Sequence, residues 1–148
     1  MGAASVEQSV DLRRLFWVGP ATVGGAVLVV KAMQLMAVAL LHPPDGSPLS
    51  SEEPAIFTAI LVSAAIVVFA IAGHESSTPI RTFRRTAFVA LILSCAPDVA
   101  LGFGLIRGEG WPLAIAFTLL HIAAWAVTVT MLTRLTVVSS GRVPAGAH

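Results

Sequence analysis

Residues Arg81 to Ile106 read RTFRRTAFVALILSCAPDVALGFGLI. Arginines crowd the start, an apolar run follows, and the centre is Ser94-Cys95-Ala96-Pro97-Asp98. Crossing the hydrocarbon core of a bilayer takes ~20 mostly apolar residues, and residues 87–106 supply them. A carboxylate and a proline near the middle of such a helix are costly, and they mark where a function would sit.

Composition agrees with a membrane reading. Apolar residues make up 56% of the 148 and charged residues 11%, whereas a soluble domain carries roughly 25% charged residues. A chain this short cannot hide so much apolar surface in its own interior, so lipid must cover it. A formal net charge of +1 with no long basic run argues against a nucleic-acid partner. The single cysteine, Cys95, excludes an intrachain disulfide and a cysteine-cluster zinc site. No cofactor and no metal are expected.

Three more apolar runs surround the first. Leu15 to Leu41 is interrupted by Lys31 and Gln34. Ala37-Val38-Ala39 resembles a signal-peptidase site, but a signal core is only about 7–15 residues, so the segment reads as a retained anchor. Pro20, Ala21, Gly24 and Gly25 would let another helix approach its backbone closely. His42 to Glu53 is a break built on Pro43-Pro44-Asp45-Gly46. Ser50 and Glu53 have capping-box spacing, so the next span starts near Pro54 and runs to Gly73. His74 to Thr86 reads as a polar loop. Arg107-Gly108-Glu109-Gly110 reads as a tight turn, and Trp111-Pro112 opens a last span ending near Arg134.

The expected architecture is an all-α, up-down four-transmembrane-helix bundle with spans at about 15–41, 54–73, 87–106 and 111–134. Residues 1–14 form a lead, and the Ser/Gly/Pro-rich residues 136–148 a disordered tail. Arg13, Arg14, Arg81, Arg84, Arg85, Arg134 and Arg142 flank one side. The other loops hold Arg107 alone, against Asp45, Glu52, Glu53 and Glu109. The positive-inside rule then places both termini in the cytoplasm and the chain in the inner (plasma) membrane.

Counting from the middle of each run at ~1.5 Å per residue, Lys31, Asp98 and His121 fall within about 5 Å of the midplane. They lie on three different helices and are the candidates for catalysis. Isolated charges at that depth cost at least ~2.5–3.5 kcal/mol each, so the three are expected to face one another or water. Pro97 frees the carbonyl of Leu93 beside Asp98. Thr118, His121, Trp125 and Thr128 share one helical face, as do Ser94, Cys95, Asp98 and Gly102. Gln34, Ser94, Thr118 and Trp125 are therefore the candidate ligand-binding residues.

Plainer readings compete. Asp98 and Lys31 as an ion pair would only fix helix register. His121 would hydrogen-bond a neighbour, since no second histidine lies at ligand spacing. Cys95 would be a small buried hydrophobe, and Trp125 would be packing.

The runs Ser50-Ser51-Glu52-Glu53-Pro54-Ala55-Ile56-Phe57-Thr58, Arg81-Thr82-Phe83-Arg84-Arg85, Pro97-Asp98 and His121-Ile122-Ala123-Ala124-Trp125 resemble a family of small four-span membrane proteins from actinobacteria. That resemblance implies topology and no activity. Small multidrug transporters are similar in size and span number, but they carry a glutamate in the first span, where this chain has Lys31. Sterol-isomerase-like bundles are similar in holding the residue types of His121, Asp98 and Trp125 inside the membrane. These two likenesses are analogies of fold and composition.

The functional expectation is a non-enzymatic membrane component. Its partners would be the bilayer, a partner membrane protein or a second copy of the chain, and a hydrophobic small molecule. The alternatives are a membrane-embedded acid–base enzyme acting on a lipid-like substrate, isomerase-like, and a proton- or ion-coupled permease using Asp98.

Overall fold

The computed structural model describes residues 8–44, 46–105 and 110–139. They form a short strand β1 (Gln8–Val10), then helices α1 (Leu12–Leu41), α2 (Glu53–Glu75), α3 (Pro79–Gly102) and α4 (Trp111–Leu135), and a closing strand β2 (Val137–Ser139). All four helices are long and apolar enough to cross a membrane. Large aliphatic and aromatic side chains stand exposed on each of them, among them Leu28, Ile60, Leu93 and Ile115. In water such a surface would drive aggregation, whereas in lipid it is the solvated surface.

The helix ends follow local chemistry. Asp11 caps α1, its carboxylate accepting from the backbone N–H of Arg13 at 2.9 Å and of Arg14 at 3.3 Å. At the other end His42 takes a left-handed backbone (φ 46°), and its N–H reaches the Val38 carbonyl. A 3-10 turn over Pro48–Ser50 leads into α2. There Ser51, one residue after the serine expected from the capping-box spacing, accepts from the Glu53 N–H at 3.2 Å. Ser50 is committed to the 3-10 turn, and the N-cap position of α2 falls on Glu52, whose own side chain makes no capping bond.

Two expected boundaries are corrected. α2 ends at Glu75 and α3 begins at Pro79, so the connection is Ser76–Thr78 rather than the longer loop to Thr86. Arg81, Arg84 and Arg85 lie on the first turns of α3 with exposed side chains. Charge does not stop a helix; arginine is a good helix former, and Pro79 sits in a first turn, where its missing N–H costs nothing. At its far end α3 stops at Gly102, short of Ile106. Gly104 turns with a left-handed backbone (φ +71°), and the Leu105 N–H returns to the Ala100 carbonyl. The turn expected at Arg107 to Gly110 falls on residues 107–109, outside the described ones.

The lead and tail differ more. Part of the segment expected to be disordered is β2, paired antiparallel with β1 in the register Gln8↔Ser139, Ser9↔Val138 and Val10↔Val137. Gln-Ser-Val and Val-Val-Ser are too short to show a period and are a weak signal beside strong helix patterns. Residues 1–7 and 140–148 lie outside the described ones. The ladder joins the start of α1 to the end of α4, and the Asp11 N–H extends it by donating to the Thr136 carbonyl at 2.9 Å.

Packing falls into two buried clusters. Leu15, Phe69, Phe83, Val129 and Leu132 form one, with the Phe69 and Phe83 rings edge to face at 4.8 Å. Val30, Leu49, Leu113, Ala116 and Leu120 form the other. α1 lies closely along α4. Gly25 faces α4, where an added Cβ would meet the Met131 sulfur at 3.4 Å, an ordinary contact. Gly24, grouped with it in sequence, meets nothing. α3 lies along α4, whereas α2 and α3 are less tightly joined and leave a groove between them.

Candidate functional site

α3 and α4 bring the polar face of each helix together. Asp98, placed one residue after Pro97, is buried. Its Oδ2 accepts from the Thr118 hydroxyl at 3.2 Å and lies 2.9 Å from His121 Nδ1. An ionised carboxylate only accepts, so the proton of this contact belongs on Nδ1, and Nε2 is the ring nitrogen left over. Asp98 Oδ1 has no hydrogen bond among the described residues. Cys95 completes the group. It precedes Asp98 by three residues and so shares its helical face. Its sulfur, an Asp98 oxygen and a His121 nitrogen lie within 4.8 Å of one another.

This group borders open space. A cavity of about 610 Å³ lies between α2, α3 and α4, with Thr58, Val62, Pro97, Asp98, Phe117 and His121 in its wall. A second cavity of about 260 Å³ continues along the same helices past Phe83 and Trp125. The two share Leu61, Val62, Ser94, His121 and Ala124, so Ser94 and His121 stand where they meet. On α2 the combined lining runs from Glu53 to Val68, a rise on the order of 22 Å. The groove walls are mostly apolar apart from Glu53 at one end, Asp98, His121, Ser94 and a few hydroxyls.

Lys31 and Gln34 are elsewhere. Lys31 Nζ lies 2.6 Å from Glu52 Oε1, at the start of α2. Gln34 is buried, and its Nε2 donates to the carbonyls of Leu49 at 2.7 Å and Ser51 at 2.6 Å. The expected convergence of Lys31 with Asp98 and His121 therefore does not form, and neither does the Lys31–Asp98 ion pair. α1 is 30 residues long, about 45 Å at 1.5 Å per residue, so the middle of its apolar run is a poor guide to depth. The flexible lysine stem then carries its charge toward the wet end.

The other candidates divide. Thr118 belongs to the Asp98 group. Ser94 lines both cavities while its hydroxyl donates to the Leu91 carbonyl at 2.8 Å. Trp125 lines the second cavity, and its Nε1 is buried without a partner among the described residues. Thr128 turns its hydroxyl onto the Ala124 carbonyl. Cys95, which the sequence puts on the Asp98 face as a small hydrophobe, joins the Asp98 group, and Glu52, expected only as an acidic residue before the second span, pairs with Lys31. The Cys-x-x-Asp spacing was a visible signal for the first, and the acidic start of α2 for the second.

No family model, curated protein or solved structure matches the chain.

Proposed function

We propose that this is a multi-pass protein of the inner (plasma) membrane that binds a lipid-like small molecule in the groove between α2 and α3. The molecule's polar group would meet Asp98 and His121, and its apolar part would lie along the groove. One observation carries this reading: a cavity of about 610 Å³ whose mostly apolar wall contains a buried carboxylate bonded to a histidine. Sites for small molecules typically enclose ~300–1,000 Å³, with a few placed polar groups in an apolar lining. The loosely joined pair α2 and α3 offers a route from the lipid side.

The same proposal takes the helices as alternating up and down, with both termini in the cytoplasm. The three-residue α2–α3 connection and the ladder between the lead and tail support the alternation. Arg13, Arg14, Arg81, Arg84, Arg85 and Arg134 lie near the same ends of the helices, which supports the sidedness.

Photolabelling tests the ligand reading. The purified protein in nanodiscs is irradiated with a diazirine-bearing fatty acid, and the adducts are mapped. Adducts are expected on the groove faces of α2 and α3 and to fall severalfold in Leu61→Trp, which plugs the groove from an exposed position. Adducts spread evenly over all lipid-facing surfaces, and unchanged by Leu61→Trp, would overturn it.

A second reading is favoured by the 2.9 Å contact of Asp98 with His121. Asp98 fixes the imidazole tautomer, and Nε2 moves a proton on the bound molecule, as an acid–base isomerase requires. Lys31 has no part in it.

A further inference from the structure

We infer that Cys95, Asp98 and His121 form a binding site for a divalent transition-metal ion of the zinc class. The inference stands on the side-chain set itself and holds whatever the groove binds.

The donor set is specific. One sulfur, one imidazole nitrogen and one carboxylate oxygen converge from two adjacent helices, with their ligand atoms within 4.8 Å of one another. Zinc binds these three donor types at ~2.0–2.3 Å, so enclosing an ion asks the outermost pair to draw in by about 1 Å, within reach of side-chain rotation. Thiolate and imidazole suit zinc and cobalt, and they disfavour magnesium and calcium, which take oxygen. Three protein ligands leave the fourth position of a tetrahedral ion open. Asp98 and His121 both line the large cavity, so that position is within reach of water or a groove-bound molecule.

Charge balance points the same way. Without metal, a protonated thiol, a carboxylate and a neutral imidazole leave the group with one uncompensated negative charge. A dication entering the site displaces the thiol proton, which leaves to water, while the ring proton stays on the imidazole nitrogen that the metal does not take. The dication then balances the thiolate and the carboxylate, with a neutral imidazole beside them. Two positive charges enter and one leaves, so the group goes from one negative charge to none at a depth where an uncompensated charge is expensive. Asp98 is already prepared as a ligand: Oδ1 has no hydrogen bond among the described residues, while Thr118 and His121 hold Oδ2.

Cobalt reports on such a site directly. Full-length protein carrying a tag without histidines, in nanodiscs, is titrated with Co²⁺. The expected result is a saturable 1:1 thiolate-to-cobalt charge-transfer absorption with four-coordinate d–d bands, erased by Zn²⁺ and unaffected by Mg²⁺. Cys95 is the sole cysteine, so Cys95→Ser must remove the charge-transfer band. Asp98→Asn and His121→Ala should each weaken binding by at least about tenfold, since even outer-shell changes cost 10–100-fold. A second readout covers variants that fold poorly: Zn²⁺ should slow maleimide alkylation of Cys95 in the wild type and not in His121→Ala. Absence of the charge-transfer band, its persistence at full strength in His121→Ala, or alkylation indifferent to Zn²⁺ in the wild type would each overturn the site. None of these readouts depends on lipid labelling, so the groove reading stands or falls separately.

Discussion

The molecule holds two polar groups among its apolar helices, and they are built to opposite plans. Around Gln34 the donors are saturated by the chain itself, since two backbone carbonyls take both amide protons and Lys31 meets Glu52. Around Asp98 the arrangement is left unfinished: among the described residues Asp98 Oδ1 and one imidazole nitrogen of His121 have no hydrogen-bond partner, the Cys95 thiol lies beside them, and a cavity adjoins. The buried Gln34 Oε1 has no partner among the described residues, but neither groove cavity has Gln34 in its wall; spare bonding capacity is available to a ligand only where a cavity adjoins it, as it does at Asp98. The first group fastens the α1–α2 connection to α1. The second is where binding chemistry can occur.

Isosteric exchanges test that division most sharply. Gln34→Glu keeps the shape but removes both donors and sets a carboxylate against two carbonyls. Each orphaned buried acceptor costs ~1–3 kcal/mol, so destabilisation of about 2–4 kcal/mol is expected, read by thermal or denaturant unfolding in detergent. Unfolding at the wild-type midpoint would break the comparison at its structural end. Asp98→Asn is the mirror exchange. Its amide oxygen still accepts from Thr118, so stability should fall by less than about 1 kcal/mol, within the range of one neutral hydrogen bond. Diazirine labelling of the groove should nonetheless drop by about tenfold, equivalent to ~1.4 kcal/mol of binding. Normal labelling in a folded Asp98→Asn protein would remove both the ligand and the acid–base readings at once.

The membrane class and the four helices were legible in the sequence because they rest on long apolar runs, a signal summed over about twenty residues each. The Asp98–Thr118–His121 group was partly legible as well. Helical spacing put Thr118 and His121 on one face of α4, and Asp98 had to turn inward to avoid lipid. What escaped was whatever depends on where a long side chain ends. Lys31 lies inside an apolar run, yet its stem lets Nζ meet Glu52, and no periodicity records that reach. Cys95 escaped for another reason: a lone cysteine in an apolar run is ordinarily a small hydrophobe, and only the approach of α4 adds His121 to the Asp98 already on its helical face. The β1–β2 ladder was hidden because three residues on each side are too few to show a period.

The α3–α4 contact that assembles the second group has its own point of adjustment at Gly102. A Cβ there would lie 2.8 Å from the Trp111 ring, a separation that real contacts do not show. Trp111 is half exposed and stacks edge to face on Phe103, so the ring can yield, and Gly102→Ala should cost about 1 kcal/mol, the low end for overpacking. Because Gly102 lies one turn beyond Asp98 on the same helix, the strain should appear as weakened groove labelling, with the Gln34 region unaffected in hydrogen exchange. Exchange that rises equally in both regions would mean the two groups are coupled through the whole bundle.

Lys31→Met should do least. The Lys31–Glu52 pair is short at 2.6 Å, but the glutamate side chain is 72% exposed and the lysine 32%. Ion pairs in such settings contribute ~0–1 kcal/mol, because water already solvates both charges and salt screens them. A loss under about 0.5 kcal/mol is expected, shrinking further in high salt, with groove labelling unchanged because Lys31 has no contact with Asp98. A loss as large as that of Gln34→Glu would place Lys31 in a dry environment and would make it a working part of the fastening around α1. Loss of labelling would mean that its charge acts on Asp98 across the bundle. The expected small effect, by contrast, would confine the consequential charges of this membrane protein to the α3–α4 side.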